Sequence, residues 1–124
     1  MTDYPTDLKA IQIGMGDLGK EIPEVMKAFG GLHHAAGADG ALDAKTKELI
    51  ALAIAVTVRC QGCITCHVSD ALKAGASRQE ILDALGVAIL MGGGPSVIYS
   101  IEAMDALEQF SAETLMEPSM YSVG

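Results

Sequence analysis

The sequence predicts an all-α fold of about six helices, and three observations carry that prediction. Half of the 124 residues are apolar but only 4% are aromatic. The bulk therefore comes from Ala, Leu, Ile, Val and seven Met, which suits close helix packing better than a sheet sandwich. The 14 glycines fall between periodic segments rather than in a repeat, so they punctuate. Helix start and stop signals recur along the chain at the edges of those segments.

Thr6 to about Gly16 is a weakly amphipathic first helix. Pro23 suits the first position of a second helix carrying Val25, Met26, Phe29 and Leu32 and ending near Gly37, with Gly30-Gly31 weakening or bending it. Gly40 to Asp43 reads as a turn leading to an N-cap at Asp43. The following helix, Ala44 to Val58, is apolar nearly all round after its first turn, which marks it as central and buried. The next carries Cys63 to Ala74, with Gly75 placed to end it. Ser77 and Glu80 form a capping box opening Arg78 to Met91. Gly92-Gly93-Gly94 breaks that helix, and Pro95 starts a last one reaching about Ser111, with a peripheral tail from Ala112 to Gly124.

Neither a repeat nor a linker divides the chain, so residues 1–124 read as one domain with its core over about residues 22–110. A formal net charge of −8 argues against nucleic acid and against an anionic membrane surface, where a basic face would supply the affinity. Met1 to Asp7 shows no basic or apolar leader pattern, and the longest apolar run, Leu49 to Val58, is too short to span a bilayer. A cytoplasmic protein is expected. The last helix is apolar over much of its surface (Val97, Ile98, Ile101, Met104, Leu107), so a lone copy would expose apolar patches and a homo-oligomer is expected.

In a reducing compartment, three cysteines crowded between Cys60 and Cys66 point to redox or metal chemistry rather than structural disulfides. On a helical wheel Cys60, Cys63 and His67 fall within about 60° of one another, with Cys66 off that stripe. A dithiol centre is one reading: a thiolate is the nucleophile, and a neighbouring His or helix N-terminus favours it. A CxxC partner captures the oxidised sulfur as a disulfide before it climbs further. Cys63 to His67 also spells C-x-x-C-H, the pattern of c-type haem attachment, though that chemistry calls for export. An iron–sulfur run would need a further Cys where Asp70 stands, and zinc through three Cys and His67 would have to wrap a tetrahedron on one helix. Cysteines buried as small hydrophobes are the remaining reading.

Glu48, taken alone, reads as a first-turn carboxylate favoured by the helix dipole and largely solvated. In company with His67 it reads as the second member of a proton relay. His33 and His34 are adjacent and face different sides, which suits a surface or interface role. Tyr99 suits half-buried packing, and Gly92 to Gly94 suits a tight turn more than an anion cradle, lacking the Lys of a P-loop.

The order Glu48, Cys60-x-x-Cys63, His67 has the spacing E-x11-C-x2-C-x3-H, followed by Ala71-Leu72-Lys73-Ala74-Gly75-Ala76 and Glu80-Ile81. With Pro23-Glu24-Val25 and Leu42 to Lys47 before it, and continuing to about Leu107, it resembles the alkylhydroperoxidase D-like branch of the carboxymuconolactone decarboxylase superfamily. The resemblance implies orthogonally packed helices assembled as a homotrimer or homohexamer, and an antioxidant peroxidase cycle without cofactor or metal. It implies Cys63 as the peroxidatic thiolate, Cys60 as the resolving thiol that forms a Cys60–Cys63 disulfide, and His67 with Glu48 as the relay. It also implies a small hydroperoxide as substrate and a dithiol reductant protein, lipoyl-bearing or thioredoxin-like. Some members place a second His between the cysteines, where Gly62 stands here, and Cys66 is an addition to the motif. A decarboxylase-like enzyme on a small carboxylated lactone, and a non-enzymatic redox-sensing oligomer, are the alternatives; the true decarboxylase branch lacks the CxxC pair.

Overall fold

Four of the helices begin where a side chain satisfies the first free amides. The Asp3 carboxylate accepts the Thr6 amide, Asp43 accepts Thr46 at 2.8 Å, and Ser77 and Glu80 complete the expected reciprocal box. The Thr46 hydroxyl and amide together hold the Asp43 carboxyl below the ordinary carboxylate range. A computed structural model describes the backbone over residues 2–122 and the side chains over residues 2–113. Among them are six helices and no strand: α1 Tyr4–Glu21, α2 Pro23–Gly37, α3 Ala44–Thr57, α4 Gln61–Lys73, α5 Arg78–Gly92 and α6 Gly94–Ser122.

The all-α expectation holds, with differences at three places. α1 runs from Tyr4 to Glu21, because the Asp3 cap and Pro5 in the first turn start it early and Gly16 and Gly19 sit within it. α2 is continuous through Gly30-Gly31. α6 passes Ser111, where Ala112, Glu113, Leu115 and Met116 are strong helix formers, and its backbone continues past Pro118 to Ser122. Whether that tail packs peripherally lies outside the described side chains.

The core is built mainly by four helices, with Tyr4 of α1 joining it. Leu52 and Val56 of α3, Ile64 and Val68 of α4, Ile81 of α5 and Leu107 of α6 are wholly buried. α3 packs against α4 and α5, and α6 closes over α4 and α5, while α1 lies across α4 and α6. Each such aliphatic side chain contributes roughly 1.5–3 kcal/mol of burial, so this floor is the stiff part of the molecule. α3 is central on one side only: Ile50, Ile54 and Val58 form an exposed stripe, a departure from the all-round burial that its composition suggests. α2 buries none of its residues, and Val25, Phe29 and Leu32 line its outer face at helical spacing. No helix among the described residues is long and apolar enough to cross a membrane.

The glycine run resolves into a tight turn. Gly93 has φ 67°, a region open to glycine, and lets α6 start one residue later. Gly92 matters for a different reason: a Cβ there would collide with the Ser96 hydroxyl and stand 3.1 Å from the Cβ of that buried residue. Gly92→Ala is expected to lower unfolding free energy by about 1–3 kcal/mol. Chemical denaturation checks it; an unchanged midpoint means that the α5–α6 turn relaxes freely.

Candidate functional site

The site is built on the return from α3 to α4. At the end of α3 the Cys60 amide donates to the Ala55 carbonyl at 3.1 Å and the Arg59 amide to Val56 at 3.2 Å. This is a Schellman closure, with Arg59 at φ 61° in the position that glycine usually fills. The α4 end repeats the closure with a true glycine, as expected: Gly75 has φ 93° and Ala76 donates to Ala71. One turn thus makes Cys60 both the exit of α3 and the N-cap of α4, where its sulfur accepts the Cys63 amide at 3.2 Å.

Cys60 therefore lies one residue outside the helix. The shared helical stripe holds for Cys63 and His67, whereas Cys60 reaches Cys63 from an extended N-cap residue. The two are joined as a disulfide, with Cα atoms 5.2 Å apart. Cys63 is exposed, and Cys60 is half-buried. Cys66 is free and half-buried; burial pushes its thiol up, and the Asp70 carboxylate adds to the rise. The bonded pair is not Cys63–Cys66, the pair that haem attachment would use.

Glu48 sits in the second turn of α3 and, contrary to the solvated reading, its side chain is only 16% exposed. Its Oε2 lies 2.8 Å from Nδ1 of His67, whose side chain is 24% exposed. Antiparallel packing of α3 on α4 makes this contact, across 19 residues of sequence. Asp70 joins them: one donor atom each from Glu48, His67 and Asp70 lie within 4.8 Å of one another. A spacing of that kind admits a divalent cation; the hydrogen bond already made between two of the three is the chemistry of a proton relay. Burial, then the Glu48 charge, pushes the Asp70 carboxyl up, opposed by His67, Lys73 and His33.

α1 lies close over the motif, with Ile11 3.6 Å from where a Cβ on Gly62 would stand. Two clefts, of about 640 Å³ between α1, α4 and α6 and about 350 Å³ between α3 and α5, are lined by neither Cys60, Cys63 nor His67. The dithiol is accordingly a surface site. Tyr99 is half-buried against the core, and His33 and His34 are exposed on α2.

Residues 23–106 match the carboxymuconolactone decarboxylase family. The chain belongs to this family. It is 40% identical over 111 residues to an uncharacterised protein of Cupriavidus necator, covering 90% of this chain and 98% of that one. It is 44% identical over 105 residues to an uncharacterised Haemophilus influenzae protein, covering 85% and 93%. Among solved structures, a carboxymuconolactone decarboxylase family protein from Legionella pneumophila superposes with a TM-score of 0.85 at 48% identity, covering 89% of this chain and 99% of that one. One from Thermotoga maritima, described as a candidate for an antioxidative response, superposes with a TM-score of 0.72 at 30% identity, covering 84% and 95%.

The structure brings together Glu48 and His67, and Cys60 and Cys63, as pairs. Sequence reasoning missed three features beside them. Asp70 was visible only as the wrong residue for an iron–sulfur run, although its place three residues after His67 on one helix face is a legible signal. Tyr4 is buried, gives its amide to Gln109 at 2.8 Å and engages the Gln61 side chain, tying α1 and α6 to the first residue of α4. Arg59 carries no sequence signal for its left-handed backbone. A side chain there costs roughly 1–2 kcal/mol and a glycine about 0.5–1 kcal/mol of chain entropy. Arg59→Gly is therefore expected to stabilise the fold by up to about 1 kcal/mol, read by chemical denaturation with the Cys60–Cys63 bond intact.

Proposed function

We propose that this protein is a thiol-dependent hydroperoxide reductase, or a disulfide oxidoreductase using the same dithiol. One observation carries the reading: an accessible Cys60–Cys63 pair at a helix start, one turn before a histidine hydrogen-bonded to a half-buried carboxylate. The antioxidative description of the Thermotoga relative agrees with it.

In the reduced protein the Cys63 thiolate attacks the outer oxygen of a small hydroperoxide. The O–O bond breaks, the sulfur becomes a sulfenic acid, and the alkoxide takes a proton from His67. His67, steadied by Glu48, then accepts the Cys60 proton. The Cys60 thiolate attacks the Cys63 sulfur, the S–O bond breaks, and hydroxide leaves as water with that proton. Two thiols and one hydroperoxide become one disulfide, one alcohol and one water.

A dithiol reductant protein, lipoyl-bearing or thioredoxin-like, closes the cycle. Its thiolate attacks the exposed Cys63 sulfur, and Cys60 leaves as a thiolate at the N-cap, where the Cys63 amide receives it. Its second thiol then displaces Cys63. The exposed stripes on α2 and α3 support the expected homo-oligomer.

Thiol-alkylation mass spectrometry on the reduced protein, before and after one equivalent of hydroperoxide, tests the reading. Cys60 and Cys63 are expected to pair while Cys66 stays alkylatable, and Cys63→Ser abolishes both pairing and turnover. Glu48→Gln slows pairing by about 10²-fold or more. Turnover of a carboxylated lactone that survives Cys63→Ser would reinstate the decarboxylase reading. Pairing without turnover on any dithiol donor would leave a redox sensor.

A further inference from the structure

α4 carries two helical thiols within one turn of each other, and the cycle above uses only Cys63. A free thiol beside a disulfide can exchange into it, so a cycle that runs through Cys60 and Cys63 needs the two helical thiols told apart. Cys63, His67 and Asp70 follow one another along a single stripe of α4, at spacings of four and three. His67 lies between the other two, and Asp70 is about 10 Å along the helix from Cys63. Cys66 is one turn, about 6 Å along the axis, from Asp70; burial is the larger cause of its raised thiol, and the Asp70 charge adds to it.

We propose that Asp70 sorts the two thiols: its carboxylate disfavours a second anion at Cys66 and, from beyond His67 on the same stripe, supports the Cys63 thiolate through that side chain. One charge thus acts in opposite directions on two sulfurs, repelling an anion at close range and supporting a distant one through an intervening imidazole. The geometry supplies each part. Asp70 is half-buried, so its field is poorly screened. Its oxygen lies within 4.8 Å of donor atoms of both His67 and Glu48. The charged groups facing it are Glu48 from α3, His67 and Lys73 from its own helix, and His33 from α2.

The sorting depends on pH with a definite sign. Burial and Glu48 raise the Asp70 carboxyl above its ordinary range. Asp70 is ionised, and the thiols are sorted, above that raised value; the discrimination fades as pH falls through it. Asn at position 70 imitates the protonated carboxyl at every pH.

The inference rests on Cys63 as the reactive thiol, but its test needs no peroxide. Fully reduced full-length protein is labelled with limiting iodoacetamide, and the modified fractions of Cys63 and Cys66 are read by mass spectrometry. In Asp70→Asn the Cys63:Cys66 ratio at neutral pH is expected to fall by about tenfold, with Cys63 slower and Cys66 faster. Asp70→Glu restores most of it. An unchanged ratio, or both thiols speeding up together as in a loosened helix, overturns the proposal. The wild-type protein gives a second reading, independent of how the variants fold. Its ratio must drop as pH is lowered through the Asp70 titration, followed by carboxyl NMR, and a flat ratio is equally fatal. A protein that sorts its thiols yet forms no Cys60–Cys63 disulfide with peroxide keeps this inference and loses the peroxidase reading.

Discussion

The turn from Val58 to Cys60 sets the geometry on which the rest of the site depends. α3 ends by closing its last carbonyls onto the amides of Arg59 and Cys60, and that closure turns the chain back on itself. Cys60 leaves it in an extended conformation, the one an N-cap residue needs, and its sulfur takes up an amide of the helix that follows. The same reversal makes α3 and α4 antiparallel neighbours. Glu48 stands ten residues before Val58, about 15 Å back along α3, and His67 seven residues beyond Cys60, about 10 Å along α4. The two positions differ by about one turn in height, and the side chains span it to meet at 2.8 Å. A helix end that closed differently would displace the thiol and the relay together.

Beneath this polar surface lies a rigid floor. Leu52 and Val56 on one helix and Ile64 and Val68 on the other are wholly buried, and they hold the two helices in register. Side chains on such elements are held more closely than side chains on loops. The disulfide itself contributes little to that rigidity, since a bond between residues three apart closes too short a loop to restrict the unfolded chain much. It can be made and broken while the packing persists, which is what a redox centre requires. The stability of the fold and the redox state of the site are thus largely separate.

The outer surfaces tell a complementary story. α2 has no buried residue of its own and is short enough to be marginal in water by itself. Its Val25, Phe29 and Leu32, with Ile50 and Ile54 of α3 and Leu90 and Met91 of α5, leave an unusual amount of apolar surface on one chain. His33 sits on that helix and lowers the Asp70 carboxyl slightly against burial, which links α2 to the electrostatics of the site.

Local chemistry made much of the molecule legible in advance. Asp43, Ser77 with Glu80, Pro23 and Gly75 each act within a few residues of themselves, so their helix boundaries could be read from the chain alone. The motif spacing from Glu48 to His67 likewise singled out the candidate site residues and carried the family resemblance. What could not be read were consequences of distance in space. Half-burial of Glu48 against His67 and the pairing of Tyr4 with Gln109 arise between helices, across 19 and 105 residues of sequence. A composition apolar on all sides could say that α3 is central, but not which side another helix covers. The sequence by itself determined which residues cap and turn and which make up the motif, because those preferences reside in single side chains and their neighbours. Only the tertiary structure decided which charges share a half-buried space, because the strength of a charge's field is set by what excludes water around it.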